Sequence, residues 1–297
     1  MDIFSHAVAI TVLLFATGNA ALIPFGVLGA VIIDIDVAYS FIARRDPSLY
    51  LLYHGGINHS IFGGTILSVL VFGATLVLSS SGLLPGPMQG APALPAIAAV
   101  LAGACLHLIL DYLAAPGLPL LYPLTEKRFG LSLFPMPLYV LITVLSLASL
   151  GSMFVWGLTP GLAEIYGVIF TGIIVISLGM KWFVYQKIPG KSYQNFHSFQ
   201  WIVIQEGPAS YSVMVYDIFR GVIRNLTFEK YLNITPSEAR RYNSIPEVKR
   251  HKYFSYIKTV EKNGSEITFR DPVREDGLIS YPPWYPSVTV STGEAAS

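Results

Sequence analysis

Ala104-Cys105-Leu106-His107-Leu108-Ile109-Leu110-Asp111 is an apolar stretch interrupted by one imidazole and one carboxylate. The run around it, Pro95 to Leu113, is long enough to cross a bilayer as a helix. His107 and Asp111 are four residues apart, so they share a helix face. An ionisable residue at the centre of a membrane helix costs about 2.5–3.5 kcal/mol on insertion scales, and such residues are as a rule partnered and functional. The stretch therefore predicts a membrane span that carries a polar site on one face.

The composition agrees. Of 297 residues, 53% are hydrophobic and 12% charged, against about 25% charged in soluble domains. The net charge of +1 gives no global basic field for nucleic acid. The single cysteine, Cys105, forms no intrachain disulfide and reads as a small packing residue. Thirteen charged residues occur up to Lys187 and 24 from Ile188 onward, so a lipid-embedded part precedes a soluble one.

Three further spans are predicted: His59 to Leu78, Met136 to Trp156 and Leu162 to Phe183. Ser79 to Pro92 and Thr159-Pro160-Gly161 read as loops. Upstream, His6 to Thr17 is too short to cross, Gly18-Asn19 is a turn, and Ala21 to Ile33 is a second short helix. We read these as a hairpin that returns His6 and Asp34 to one side. Ala7 to Ala16 lacks the basic region that begins a secretory signal, which favours a retained helix.

From Ser192 the pattern changes. Phe199 to Ile204 and Tyr211 to Tyr216 are rich in β-branched and aromatic residues. Tyr253 to Val260 and Glu266 to Arg270 flank Lys262-Asn263-Gly264-Ser265, a hairpin signal. Thr235-Pro236-Ser237-Glu238 opens a short helix. Lys249-Arg250-His251-Lys252 reads as a solvated charge run, with contact to anionic headgroups as the alternative. His197 and His251 are assigned to the surface or core of this part. Trp182, Phe183 and Tyr185 read as an interfacial belt. The predicted fold is an α-helical polytopic membrane bundle, about four full spans plus a short amino-terminal hairpin, followed by a small β-rich soluble domain. The predicted boundaries are 1–187 for the membrane domain, 188–285 for the β-rich domain and 286–297 for a disordered tail.

Alternating span directions place His6, Asp34, Asp36, His54, His59, His107 and Asp111 near one face. Imidazole and carboxylate together are ligands of zinc and related first-row metals. Seven candidates suit two divalent ions, zinc foremost, with manganese or another first-row metal as the variant. Paired ions serve phosphoryl transfer, and one ion activates water near neutral pH. Asp34 and Asp36 are two apart and do not share a helix face, so either the helix unwinds there or they serve different ions. Asp36, His59 and Asp111 are expected to carry catalysis, with Asp36 as the bridging ligand. Arg44, Arg45, Lys127, Arg128, Lys181 and Lys187 fall on the same face, which the positive-inside rule makes cytoplasmic together with the carboxy-terminal domain.

In order, His6, Asp34-x-Asp36, His54-x4-His59-Ser60 and His107-x3-Asp111 resemble the YdjM-type family of membrane-bound predicted metal-dependent hydrolases. Ala115-Pro116-Gly117-Leu118-Pro119-Leu120-Leu121-Tyr122-Pro123-Leu124, followed by Lys127-Arg128-Phe129, resembles that family's signature after the His-Asp helix. The resemblance covers about residues 1 to 135. It implies a distant similarity to zinc-dependent phospholipase C and P1-type nucleases, and by analogy hydrolysis of a phosphoester by metal-activated water. Where the family reads His-Arg-Gly-x-Thr-His-Ser, this chain has Gly55 and Asn58. Arg44, Arg45, Lys127 and Arg128 are the candidates to hold an anionic substrate instead.

A site at headgroup depth favours a membrane lipid or lipid-linked substrate. No residue pattern names a partner for the soluble domain. Neither the His-Glu-x-x-His nor the Gly-x-Ser-x-Gly signature occurs. The alternatives are a membrane metal transporter, which would want ligands near the midplane, and a scaffold with a structural metal.

Overall fold

The computed structural model describes all residues except 84–87, 89–91, 115–116, 196, 198, 282–283 and 295–297. Parts of the expected 79–92 loop, Ala115-Pro116 of the family signature and the last three residues thus lie outside the described residues.

The chain forms two compact units. The first comprises Met1–Ile42, Leu51–Phe134 and Leu138–Ile176. Helix α1 (Ile3–Ala16) is capped by Asp2, whose carboxylate accepts from the Ser5 amide at 2.9 Å. After the turn at Gly18 come α2 (Ile23–Ile32), a 3₁₀ turn (Ile33–Ile35) and α3 (Asp36–Arg45). Here the structure departs from the expected short hairpin arm. The apolar run does not stop at the aspartates; Ala20–Arg45 continues for 26 residues, long enough to cross a membrane. The 3₁₀ turn carries Asp34, and the helix resumes at Asp36. Asp36 then opens α3 from its amino-terminal end, where negative charge is favourable.

Helices α4 (Ile61–Ser80), α5 (Ala93–Ala114), α6 (Met136–Trp156) and α7 (Pro160–Lys187) follow. With Ala20–Arg45, they make five candidate spans among the described residues. Their outer faces are apolar and open, with Phe154 93% and Val168 73% exposed, as lipid-facing side chains should be. Cys105 is exposed rather than packed. The core gathers Val8, Leu110, Phe134, Ile142 and Tyr166. A polar seam joins α1 to α6: Thr143 Oγ1 donates to Asp2 at 2.9 Å, and Ser146 donates to Ser5 at 3.1 Å.

Close approach of α2 and α5 depends on glycine. A Cβ at Gly29 would sit 1.9 Å from the Val100 carbonyl oxygen, and one at Gly103 would sit 2.0 Å from that of Gly26. Small residues at such crossings let membrane helices pack backbone to backbone.

The second unit comprises Ala43–Tyr50, Pro135–Pro137 and Ser177–Ser297. Strands β1 (Lys191–Gln194), β2 (Gln200–Glu206), β3 (Ser210–Asp217) and β4 (Gly221–Glu229) form an antiparallel meander in sequence order. Strand β2 is buried on both faces. Ile202 and Ile204 pack with Val213, Val215 and Ile257, while Trp201 and Val203 pack with Val184 near the end of α7. That second contact draws the last turns of α7 into this unit. A second sheet has the order β5 (Tyr231–Leu232), β6 (Thr259–Asn263), β7 (Glu266–Arg270) and β8 (Ser287–Ser291), with β5 parallel to β6 and the rest antiparallel. Helix α8 (Pro236–Arg240) is capped by Thr235 as the sequence predicts, α9 (Pro246–Phe254) follows it, and α10 (Pro272–Glu275) lies between β7 and β8.

Two expectations are corrected here. The tail assigned as disordered contains β8, whose Val290 is buried against β7. The motif at 249–252 is not a wholly solvated run. Arg250 and His251 are buried, His251 bonds the Tyr285 carbonyl through Nδ1 at 3.0 Å, and the Arg250 guanidinium lies 3.5 Å from the Tyr285 ring centroid. Burial pushes the His251 pKa down to about 4.

Candidate metal centre

All seven residues picked out as ligands lie in the first unit, and the fold brings them together. Each arrives by a different route. His107 and Asp111 project from the last two turns of α5. Asp34 sits on the 3₁₀ turn and Asp36 at the start of α3. His59 ends a 3₁₀ turn (Ile57–His59), and Ser60 then caps α4 by accepting from the Gly63 amide at 2.9 Å. His54 precedes that turn. His6 lies in the second turn of α1, stacked on His107 with ring centroids 3.8 Å apart.

Two groups can be distinguished. In each, one ligand atom per residue lies within 4.8 Å of all the others. The first group is Asp34, His59, His107 and Asp111, all buried; the second is Asp36, His54 and His59. Within the first, His59 Nε2 lies 3.3 Å from Asp34 Oδ1 and 3.2 Å from Asp111 Oδ2. His107 Nε2 lies 3.6 Å from Asp34 Oδ1, 3.4 Å from Asp111 Oδ2 and 3.2 Å from His59 Nε2. In the second, Asp36 Oδ1 lies 2.8 Å from His54 Nδ1, and Asp36 Oδ2 lies 3.0 Å from His59 Nδ1. The two aspartates thus address different groups, and His59 turns one ring nitrogen to each. His59, not Asp36, is the residue common to both.

His107 Nδ1 lies 2.6 Å from the Ala30 carbonyl oxygen. A carbonyl accepts only, so Nδ1 is the donor, and Nε2 is the nitrogen turned toward the first group. Metal-ligating histidines show this arrangement, in which the outer nitrogen donates and the inner one faces the ion. Close packing at Gly29 and Gly103 brings the Ala30 carbonyl within reach. His6 Nδ1 and Nε2, His59 Nδ1 and Asp34 Oδ1 are buried without a well-aligned hydrogen bond among the described residues. His6 Nε2 stands beside the first group, 3.2 Å from Asp111 Oδ1, and the Met1 amino group also contacts Asp111. Burial alone would lower the His59 pKa, but hydrogen bonds to Asp111, Asp34 and Asp36 raise it well above the usual imidazole value. The centre therefore attracts positive charge, and its donor set fits a divalent metal.

Sequence reasoning marked Gly55 and Asn58 only as departures from the family pattern and passed over Ala30. Asn58 Nδ2 donates to the Ile33 carbonyl at 3.3 Å, at the start of the turn bearing Asp34. The Gly55 amide donates to Asp36 Oδ2 at 3.2 Å with φ at +79°, a conformation that costs glycine little. Of the charged residues expected to hold substrate, Lys127 and Arg128 lie in the first unit with the centre. Arg128 Nε donates to the Gly117 carbonyl at 3.0 Å, and Lys127 lies over the Phe129 ring. Arg44 and Arg45 belong to the second unit, where the Arg44 guanidinium stacks 4.2 Å from the Trp284 ring centroid.

Five apolar spans and a buried histidine–aspartate cluster define an integral membrane protein whose centre can hold a metal ion. The chain belongs to the YdjM inner membrane protein family, whose model matches residues 1–187. That segment contains every residue of the centre. No curated protein and no solved structure matches the chain.

Proposed function

We propose that the chain is a membrane-bound metal-dependent hydrolase that cleaves a phosphoester of a lipid or lipid-linked substrate. The observation that carries this reading is the facing pair of His59 and His107 Nε2 atoms, 3.2 Å apart between the carboxylates of Asp34 and Asp111. Imidazole nitrogens and carboxylate oxygens converge there. A divalent ion, zinc foremost by this ligand set, activates water and offsets phosphoester charge when bound.

Asp34, His59, His107 and Asp111 would hold the ion. A neutral imidazole has one lone pair, so His59 serves one ion, and we assign one ion per chain rather than two. The Asp36 carboxylate, 3.0 Å from His59 Nδ1, would then orient the ring. The His54 side chain is 32% exposed and bonded to Asp36 through Nδ1. Its Nε2 is the nitrogen placed to take up or give a proton at the open side. Lys127 and Arg128, in the same unit as the centre, are favoured over Arg44 and Arg45 for holding the anionic group. A centre set among apolar helices is reached by amphiphilic molecules moving within the bilayer. The basic residues flanking the spans favour a cytoplasmic face for the centre.

Metal analysis of the detergent-purified chain, with a screen of phosphoester lipids, tests the reading. The expected result is about one ion per chain and hydrolysis, both lost in folded His107→Ala and His59→Ala. Bound metal without hydrolysis, but with metal uptake into vesicles, would replace the hydrolase with a transporter. Unfolding of both variants would make the metal structural.

A further inference from the structure

The second unit contains a cavity of about 410 Å³ whose lining includes Tyr185, Lys191, Glu206, Tyr211 and Tyr256. Its volume lies in the range of small-ligand sites. Its aromatic walls and single carboxylate would suit a cationic ligand, but that role is already filled. Lys230 Nζ bonds Glu206 at 2.7 Å and lies 4.8 Å from the Tyr211 ring centroid. Glu206 is thereby neutralised. Two other lysines bear on the same place. Lys191 lines the cavity, and Lys258 interacts electrostatically with both Lys191 and Glu206 while its backbone amide bonds the Tyr211 phenol. Neither Lys191 nor Lys258 has a salt bridge among the described residues. With Lys191 on the lining, Lys258 beside it and one carboxylate already bridged by Lys230, the surroundings of the cavity carry excess positive charge, and the ligand they select is an anion.

Chain distance sets the depth of this site. Tyr185 belongs to the last turn of α7, and Lys191 follows the end of that helix at Lys187 by four residues. Four extended residues reach at most about 14 Å, so Lys191 stays close to where the span leaves the apolar layer. That is the level of lipid phosphates. Tyrosine is favoured there, since its ring can sit against acyl chains while its hydroxyl meets water. Lysine binds phosphate as a point charge and needs no fixed fork geometry.

We propose that this cavity binds a phosphate group, supplied by the headgroup of an anionic membrane lipid. Lys191 and Lys258 provide the charge, and Tyr185 and Tyr256 flank the glycerol end. The site is separate from the metal centre and does not depend on the hydrolase reading.

The test uses the full chain in neutral detergent and isothermal titration with dioctanoyl phosphatidic acid, glycerol 3-phosphate and dioctanoylglycerol. The expected result is saturable binding of the phosphatidic acid, at least tenfold weaker in Lys191→Ala/Lys258→Ala and unchanged in Arg240→Ala, an exposed arginine on α8. Equal binding of glycerol 3-phosphate with the same lysine dependence would keep the phosphate site but overturn the lipid as its source. Equal affinity in wild type and the double variant would overturn the site, as would equal binding of the uncharged dioctanoylglycerol. Should the double variant not fold, Lys191→Glu alone decides: charge reversal must weaken phosphatidic acid binding by more than tenfold, and unchanged affinity refutes the proposal.

Discussion

Replacing Asp36 by asparagine separates an orienting carboxylate from a metal ligand. Asp36 is 1% exposed. Its Oδ2 lies 3.0 Å from His59 Nδ1 and accepts from the Gly55 amide at 3.2 Å, while Oδ1 meets His54 at 2.8 Å. Asparagine keeps the volume and one acceptor oxygen but removes the charge. Bonds to an ionised acceptor are roughly twice as strong as neutral ones. Loss of the outer partner of a ligating histidine typically costs about 10–100-fold in metal affinity, which is roughly 1.4–2.7 kcal/mol. Zinc titration of the metal-stripped chain against a competing chelator reads the affinity, and elemental analysis reads the stoichiometry. The expected outcome for Asp36→Asn is a dissociation constant raised by that factor with stoichiometry held near one. An unchanged constant refutes the orienting role. Two ions in the wild type and one in the variant would refute the one-ion assignment and make Asp36 a ligand.

Gly103→Ala places a methyl group where 2.0 Å separates it from the Gly26 carbonyl oxygen; overpacking of this kind costs about 1–3 kcal/mol, and a lower Tm with weaker metal binding is expected, because the Ala30 carbonyl moves away from His107. His251 is neutral in the fold with a pKa of about 4, against 6.5 for the free side chain. Between those values the unfolded chain binds the extra proton, so its contribution, about 3 kcal/mol, is present above pH 6.5 and is lost as pH falls toward 4. Unfolding of the full chain followed across that window should show the slope, and His251→Gln should flatten it. Arg274 pairs with buried Asp271 at 2.8 Å and donates to the Trp284 and Tyr285 carbonyls; Arg274→Ala leaves that carboxylate unpaired and should cost about 3–5 kcal/mol, measured by denaturant unfolding.

How far the sequence led depended on what kind of signal each feature leaves. His6, Asp34, Asp36, His54, His59, His107 and Asp111 stood out because each is ionisable within an apolar context, and the fold gathers all of them. Helices α4 to α7 lie within a few residues of their predicted bounds, since an apolar run must close its own backbone bonds in lipid. The Asn263-Gly264 hairpin and the Thr235 cap were equally local. The continuation of α2 into α3 was not legible, because Asp34, Asp36, Arg44 and Arg45 imitate a helix end. Strand β4 was missed because most of its side chains are exposed and alternate poorly. Strand β8 hid in a tail of Pro, Ser, Thr and Gly, and only pairing with β7 orders it. Arg250 and His251 are buried because Tyr285 packs on them, a long-range contact that their own neighbours in sequence do not announce.

The same distinction governs the centre. Asp34, Asp36 and Asp111 put three carboxylates where side-chain exposure is 9% or less. Burying a charge costs several kcal/mol, and here it is met in part by the Met1 amino group at Asp111 and by a His59 ring held in its charged form by the three carboxylates. Asp111 also lies in the last turn of α5, where a carboxylate opposes the helix dipole. Burial, like charge and dipole act together on these carboxylates, and a bound divalent cation would relieve each of them. Charge alone would accept any cation, protons included. What would favour a metal is the direction of the ring nitrogens and carboxylates, and these are set by uncharged groups: the Ala30 carbonyl that accepts from His107 Nδ1, the glycines that let α2 and α5 close, and the Asn58 amide that holds the Ile33 carbonyl. The ionisable residues therefore favour a bound cation, while the uncharged groups around them set the directions of the donor atoms that could hold a metal ion.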